Sequence, residues 1–426
     1  MMNKKIIALS LALTGLILIG CILNLHALIL AVVAVLCLRF LFLDTREATF
    51  LLFFFSPLSY ILVYKQYNIY IFLIVAYIVG ALLKKKNAIA VIPALFLLLY
   101  CVVFSDSQIS INLGKFISLI LLFGLLFVCQ YAERRDYKYL VRYFLLGFIV
   151  SIVIALFKEQ IPLLGSIFEV NDLYIDGVET SMDIHRFSGL SYDPNFFALI
   201  DCVLISALLF GEKKLGLLNG IALIILVVAG FFTFSKSYVL LLAIIFAWYI
   251  LTRNKAPLRT LLFIMGAVAC LGLIEIVFDF KVISLVVARF TVADSANDLT
   301  TGRLELWIEY LDYIINDVKC LLFGEGFNAL SLRKAAHNTY IEFVYHFGLV
   351  GIGLWITYFA WCKKEVAKRG DKKTSSGITM IILLLGIFFL NSFQFQQLWC
   401  CIFFALISPY LDGGQNEKTE RNSTNI

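Results

Sequence analysis

Charged side chains are scarce in this chain: Asp, Glu, Lys and Arg make up 15% of its 426 residues, against 62% hydrophobic. With a mean hydropathy of +0.93, there is too little charge to coat a water-soluble globule, and that class is excluded. Histidine is nearly missing, with four in all, and no Asp-x-Asp pair faces outward, so no metal-binding constellation is legible. The ten cysteines include no C-x-x-C pair, lie almost entirely within or beside apolar runs, and leave only Cys320 in a polar loop. They read as small buried hydrophobes, not as a disulfide framework or a zinc site. Period-two alternation is missing as well, which argues against a transmembrane barrel. Residues 1–23 have a basic start and an apolar run but no small-residue cleavage site after it, so they read as a first anchor rather than a removed signal.

What remains is a succession of apolar runs. A spanning helix needs about 20 apolar residues, because the hydrocarbon core is roughly 30 Å thick and each residue rises about 1.5 Å. Such runs lie near 5–23, 25–43, 48–64, 69–83, 88–104, 115–131, 139–157, 193–211, 215–234, 236–251, 258–278, 338–362, 376–392 and 394–410. The expected fold is all-α: a polytopic transmembrane helix bundle of about 14 spans (range 12–14). Its units are N-terminal spans (1–157), an exterior loop (158–192), further spans (193–278), a large exterior loop containing amphipathic helix (279–337), C-terminal spans (338–410) and a polar tail (411–426).

Positive charge marks the cytoplasmic side. Lys4/Lys5, Arg39 with Arg46, Lys84 to Lys86, Arg134/Arg135/Lys138, Lys213/Lys214, Arg253/Lys255/Arg259 and Lys363 to Lys373 all fall on one side of a fourteen-span arrangement. Both termini are then cytoplasmic and both long loops face the other side. The net charge of +6 records this bias and carries no implication of nucleic-acid binding.

The two long loops hold the residues with chemistry. The first ends His185-Arg186-Phe187-Ser188-Gly189, followed by Asp193-Pro194-Asn195, where Asp193 reads as a helix N-cap and Pro194 as the first helical residue. Arg186 stands just ahead of that helix start, either as an anion ligand or as an interface anchor. In the second loop Leu304, Trp307, Ile308, Leu311, Ile314 and Ile315 recur at helical spacing, with Arg303, Glu305, Glu309, Asp312 and Asn316 opposite. Gly324-Glu325-Gly326 is a tight turn or a weak phosphate loop, and Arg333 and Lys334 precede His337. Asn338, Glu342 and His346 share one face of the next helix, and Ser235-Lys236-Ser237 occupies an exterior turn. Lys236 reads as a phosphate contact or a snorkelling cation. Arginines could neutralise a pyrophosphate leaving group while His337, of near-neutral pKa, takes a proton from an attacking hydroxyl. The structural alternative for His337 is a plain hydrogen-bonding role.

This ordered set resembles the bacterial O-antigen ligase and O-antigen polymerase superfamily of surface-polysaccharide assembly. The residues that carry the resemblance are Arg186-x-x-Gly189 with Asp193-Pro194-Asn195, Ser235-Lys236-Ser237, Arg303-x-x-x-Trp307, Gly324-x-Gly326, and His337-Asn338-x-Tyr340-x-Glu342 with Gly348. They cover roughly 180–360, and the first half shares only hydrophobic character. Where the family often has Ser-Arg this chain has Ser-Lys, which keeps the charge but loses the bidentate fork. The resemblance implies a metal-independent, inverting glycosyltransferase of the bacterial inner membrane, without a cofactor, its site facing the periplasm. It implies an undecaprenyl-pyrophosphate-linked glycan donor and acceptor, membrane lipids and a chain-length regulator as partners. Arg186, Arg303 and His337 would be catalytic, with Lys236, Arg333, Asn338, Asn195 and Glu342 binding substrate. Polymerisation of lipid-linked repeats is the leading expectation. Ligation of the glycan to lipid A-core, or to protein, stands beside it within the class, and a lipid-linked-oligosaccharide flippase stands outside it.

Overall fold

The computed structural model describes residues 3–64, 67–84, 92–104, 113–132, 134–168, 186–191, 193–211, 215–252, 258–277, 283, 287, 302–327, 329, 332, 334–368, 377–390 and 397–408. Among these the chain is helical almost throughout. The helices are α1 (Lys4–Ile22), α2 (His26–Phe42), α3 (Thr45–Phe55), α4 (Tyr70–Leu83), α5 (Ile92–Val103), α6 (Leu113–Tyr131), α7 (Arg134–Ala155) and the single turn α8 (Pro162–Gly165). They continue as α9 (Pro194–Gly211), α10 (Leu217–Phe231), α11 (Lys236–Thr252), α12 (Leu258–Val277), α13 (Arg303–Asn316), α14 (Val318–Phe323), α15 (Thr339–Ala367), α16 (Ile378–Ile387) and α17 (Leu398–Ile407). The only strands among the described residues form a two-residue hairpin, Val63–Tyr64 with Tyr67–Asn68.

Among the described residues five stretches are long and apolar enough to cross a membrane: Lys4–Ile22, Asp136–Ala155, Pro194–Gly211, Thr260–Val277 and Thr339–Ala367. Eight more apolar helices run to 10–17 residues. Large apolar side chains face outward from several of them, among them Phe42 at 84%, Leu218 at 81% and Leu251 at 78% exposure. Such a surface suits lipid and not water. The run at 48–64 departs from expectation. It forms the eleven-residue α3, buried from Ala48 to Phe55, then a short 3-10 turn and the hairpin. Its apolarity serves the bundle interior, where Phe53 packs edge-on against Trp399 and Phe403.

Polar contacts fix one end of the bundle. Arg46 at the start of α3 pairs with buried Asp136 at the start of α7 at 2.5 Å. Nearby, the Asn3 N–H donates to the Tyr143 hydroxyl at 3.1 Å, and Tyr137 of α7 donates to the Val366 carbonyl in the last turn of α15. The start of α15 lies at the other end of that helix, so the segment before Thr339 is held away from this cluster. All ten cysteines are free thiols, buried or half-buried.

The second long loop folds onto the start of α15 around a small core of its own. Leu306, Tyr310 and Ile314 of α13 bury against Cys320, Ala336, Ile341 and Tyr345. The inward stripe of α13 matches the predicted one only in part: Trp307 and Ile314 face this core, while Ile308, Leu311 and Ile315 are exposed. Polar anchors set this rotation, because Trp307 Nε1 donates to the Ala336 carbonyl at 2.8 Å and the Tyr310 hydroxyl to the Lys334 carbonyl at 2.8 Å. One turn before Trp307, Arg303 shares the inward side and is half-buried instead of lying on the solvent face.

Candidate functional site

Four helices begin in one place. The residues at those four starts are Asp193-Pro194-Asn195 for α9, Ser235-Lys236 for α11, Gly302-Arg303 for α13 and His337-Asn338-Thr339 for α15. Each helix start carries about half a positive charge from its aligned peptide dipoles. Asp193 connects the four. Its Oδ1 accepts from the Asn195 backbone N–H at 2.7 Å and from Asn195 Nδ2 at 2.8 Å, and its charge acts on both Arg303 and His337. The Oδ1 of Asn195 in turn accepts from Arg186 Nη2 at 3.2 Å and from Ser235 Oγ at 2.7 Å. Ser235 and Ser237 are 2.9 Å apart, which places the Lys236 backbone, first in α11, beside the same network.

Arg186 is further fixed by donation from Nε to the Thr233 carbonyl at 2.9 Å, while Phe187 N–H donates to the Phe232 carbonyl at 2.9 Å. The segment thus runs back against the end of α10. Gly189 takes φ of 60°, and a Cβ there would sit 2.4 Å from the ring of Phe197, so glycine is required by both conformation and space. Arg303 opens α13 after Gly302, which is left-handed (φ 75°) and has no side chain to cap the helix, and donates from Nη1 to the Phe389 carbonyl at 2.7 Å. Burial lowers the Arg303 pKa from its ordinary value, with Asp193 opposing that shift.

His337 also lies in the left-handed region, at φ 50°. That conformation costs a residue other than glycine about 1–2 kcal/mol. Its neighbours hold it there: the Ala336 N–H donates to Glu342 Oε1 at 2.7 Å, and Asn338 caps α15 by accepting from the N–H groups of Tyr340 and Ile341. The ring keeps solvent access, yet its surroundings are dense enough to disfavour its charged form. Its pKa is lowered from the ordinary histidine value, by desolvation first and Arg303 second, against Asp193 and Glu342, with Lys334 adding to the decrease. The imidazole is consequently neutral near pH 7 and able to accept a proton.

Glu342 occupies an interior position. It is buried, with one oxygen on Ala336 N–H and the other 3.1 Å from His346 Nε2. His346 Nδ1 lies 3.1 Å from the Gly326 carbonyl, which can only accept. Glu342 therefore shapes the turn that carries His337, as does Asn338 through its cap. Glu342→Gln can keep both of these side-chain bonds, accepting from Ala336 N–H and donating to His346 Nε2, whereas Glu342→Ala abandons them. We expect Glu342→Gln to fold with a wild-type melting temperature and Glu342→Ala to lose about 1–3 kcal/mol for each stranded polar group. Thermal unfolding in detergent measures the difference, and equal melting of both variants would refute the positioning role.

The Gly324-Glu325-Gly326 turn is a docking element and not a phosphate loop. α15 breaks at Gly348 (φ 60°), and the carbonyls just before the break find partners outside the helix. Tyr345 O accepts from Glu325 N–H at 2.8 Å and His346 O from Gly326 N–H at 3.1 Å. The hydroxyl of Tyr100 lies 2.7 Å from Phe347 O and 2.9 Å from Phe323 O, one proton serving two acceptors. The amides a phosphate would need are already engaged.

Of the remaining sequence-derived candidates, Arg333 lies outside the described residues, as does 169–185 of the first loop. Among the described residues no group of three His, Cys, Asp or Glu side chains is placed to hold a metal ion. In the sequence Asp193 signals only a helix cap, and its electrostatic influence on Arg303 and His337 joins residues more than a hundred positions apart. Fold and site together define an all-α protein of membrane-suited helices with a cationic, histidine-bearing polar centre at one end. No family model, curated protein or solved structure matches the chain.

Proposed function

We propose that the protein is a membrane glycosyltransferase that polymerises undecaprenyl-pyrophosphate-linked oligosaccharide repeats into O-antigen or a related surface polysaccharide. The observation that carries this reading is the gathering of Arg186, Arg303 and four helix N-termini around Asp193, beside a neutral His337. In this reading about fourteen helices span the bacterial inner membrane, both termini are cytoplasmic, and the site opens to the periplasm. The basic residues at the far end of α15 support that orientation.

The acceptor hydroxyl oxygen attacks the anomeric carbon of the donor sugar from the face opposite the pyrophosphate. The carbon–oxygen bond to pyrophosphate breaks, its electron pair stays on the leaving oxygen, and the anomeric configuration inverts. His337 takes the hydroxyl proton. Arg186 and Arg303 hold the charge that develops on the leaving pyrophosphate, and the helix dipoles add to that field. Asp193 keeps the two arginine-bearing segments together despite their like charge.

The glycan carried by a strain lacking the gene tests the reaction class. Core bearing one repeat, with long chains restored by the wild-type gene, is the polymerase outcome. Long glycan left on the carrier lipid and missing from the core would replace polymerase by ligase, and transfer that fails in detergent without a membrane gradient would favour a flippase. The pH dependence follows from the lowered His337 pKa: kcat/KM should rise through an acid limb below pH 6.5 and stay level above it. Lys334→Gln removes a depressing charge and should move that limb upward. A limb unmoved by Lys334→Gln and centred above 6.5 would remove His337 from the role of base.

A further inference from the structure

We propose that a groove between α7, α10 and α12 holds the polyprenyl chain of the donor, with Lys158 and Arg186 at its mouth receiving the phosphate headgroup. This deepens the transferase reading and rests on it for the identity of the chain. The groove encloses about 770 Å³, within the usual range of ligand sites, and its walls include Ile152, Leu156, Ile225, Val228, Leu273 and Ile274. Among the described residues its charged lining consists of Lys158, Glu159 and Arg186. Lys158 follows the end of α7, and Arg186 is bound to Thr233 beyond the end of α10, so the charges mark one mouth of an otherwise apolar channel. Leu156 and Leu273 are 62% and 64% exposed, which leaves the channel open sideways toward lipid.

The headgroup end is chemically distinct. Lys158 Nζ donates to Ser188 Oγ at 3.0 Å and lies 5.3 Å above the ring of Phe168, which holds the ammonium at the mouth despite burial that lowers its pKa. Glu159 offsets one of the two positive charges, leaving a net cation there. Arg186 belongs to this mouth and to the network around Asp193, so a chain lying in the groove brings its phosphate to the reacting centre. A shallower depression between α2 and α4, lined by Leu30, Val33, Phe72 and Val75, has no charged side chain among its described lining residues.

The test is photo-crosslinking of the purified full chain in nanodiscs with a diazirine-bearing polyprenyl pyrophosphate, followed by peptide mapping. Label is expected on α10 and α12 around Ile225, Val228 and Leu273, displaced by undecaprenyl pyrophosphate but not by phosphatidylglycerol or inorganic pyrophosphate. Lys158→Ala should raise the half-labelling concentration about tenfold, the loss of one charge-assisted contact. Ala229→Trp should block labelling by filling the groove; if it fails to fold, Lys158→Ala, half-exposed beyond the end of α7, carries the test. Displacement by phosphatidylglycerol would make this a general lipid seam and overturn the proposal, as would label confined to other helices. His337→Asn separates the two readings, because it should be labelled like wild type. A labelled groove in a wild-type protein that transfers no glycan keeps the groove and rejects the transferase, whereas transfer with label elsewhere does the reverse.

Discussion

Replacing His337 with asparagine is expected to lower glycan transfer by about 100- to 10,000-fold, the range for removal of a general base, while leaving the fold intact. Asparagine is the informative choice because His337 sits at φ 50°. Asn tolerates the left-handed region better than most residues, so the backbone between Glu342-bound Ala336 and the Asn338 cap should persist. His337→Ala removes the same imidazole but adds backbone strain, and its melting temperature should fall below that of His337→Asn. Transfer from a purified lipid-linked repeat, measured in detergent beside the melting temperature, separates chemistry from folding. If His337→Asn kept wild-type turnover, the imidazole would be a structural group and the base would have to be sought elsewhere.

Arg303 should behave differently. Its guanidinium is held by the Phe389 carbonyl and lies within the field of Asp193. Losing it removes a positive charge that disfavours protonation of His337, so the histidine pKa should rise in Arg303→Gln as leaving-group stabilisation is lost. Removal of Asp193 has the opposite sign at His337, because that carboxylate raises the pKa. Arg303, Asp193 and His337 are thus one electrostatic unit. Single substitutions within it will not add as independent sites do.

Some of this was legible from the chain and some was not, for identifiable reasons. Apolar runs report solvent preference residue by residue, which is why helices lie where hydropathy placed them. Hydropathy cannot separate a helix bathed in lipid from one enclosed by protein, and α3 is the second kind. The amphipathic stretch at 303–316 is recognisable as a helix, but of its inward face only Trp307 and Ile314 are. Two apolar stripes coexist there, and only the bonds from Trp307 and Tyr310 to the chain before α15 select between them. Arg186, Arg303 and His337 were found because each stands beside a helix start, a local signal. Asp193 gave the same signal and was read as nothing more, since its reach to Arg303 appears only once the chain has folded. Glu342 is visible in the sequence as an ionisable group able to orient its polar neighbours, and its bonds to Ala336 and His346 fit that positioning role.

The glycine segment is legible as a turn, but its docking against α15 is not, and it carries the largest expected loss of stability. Gly348→Ala should prevent the native fold. A Cβ at Gly348 would stand 2.4 Å from the Leu322 carbonyl carbon and oxygen and from the Phe323 nitrogen, and φ of 60° adds strain of its own. The obstacle is backbone on both sides, so no side-chain rotation relieves it. Gly324 is the reciprocal position: at φ 77°, its Cβ would meet the carbonyl of His346 at 2.4 Å and the nitrogen of Phe347 at 2.5 Å. Separating the two segments would strand the carbonyls of Tyr345 and His346, and each buried unsatisfied group costs about 1–3 kcal/mol. With the backbone clash added, the loss should exceed the ~4–5 kcal/mol that already marks an exceptional single substitution. The same contact holds Gly326 O on His346, and through Glu342 it holds the Ala336-His337 turn, so partial accommodation should still displace the imidazole. Either alanine variant is therefore expected to be recovered in low yield, melt early in detergent and transfer no glycan. Gly353→Ala, in the same helix and with nothing within 4 Å of the added carbon, should be indistinguishable from wild type in all three measurements. A Gly348→Ala protein melting with the wild type would mean that the break in α15 does not depend on close approach of the Gly324 turn.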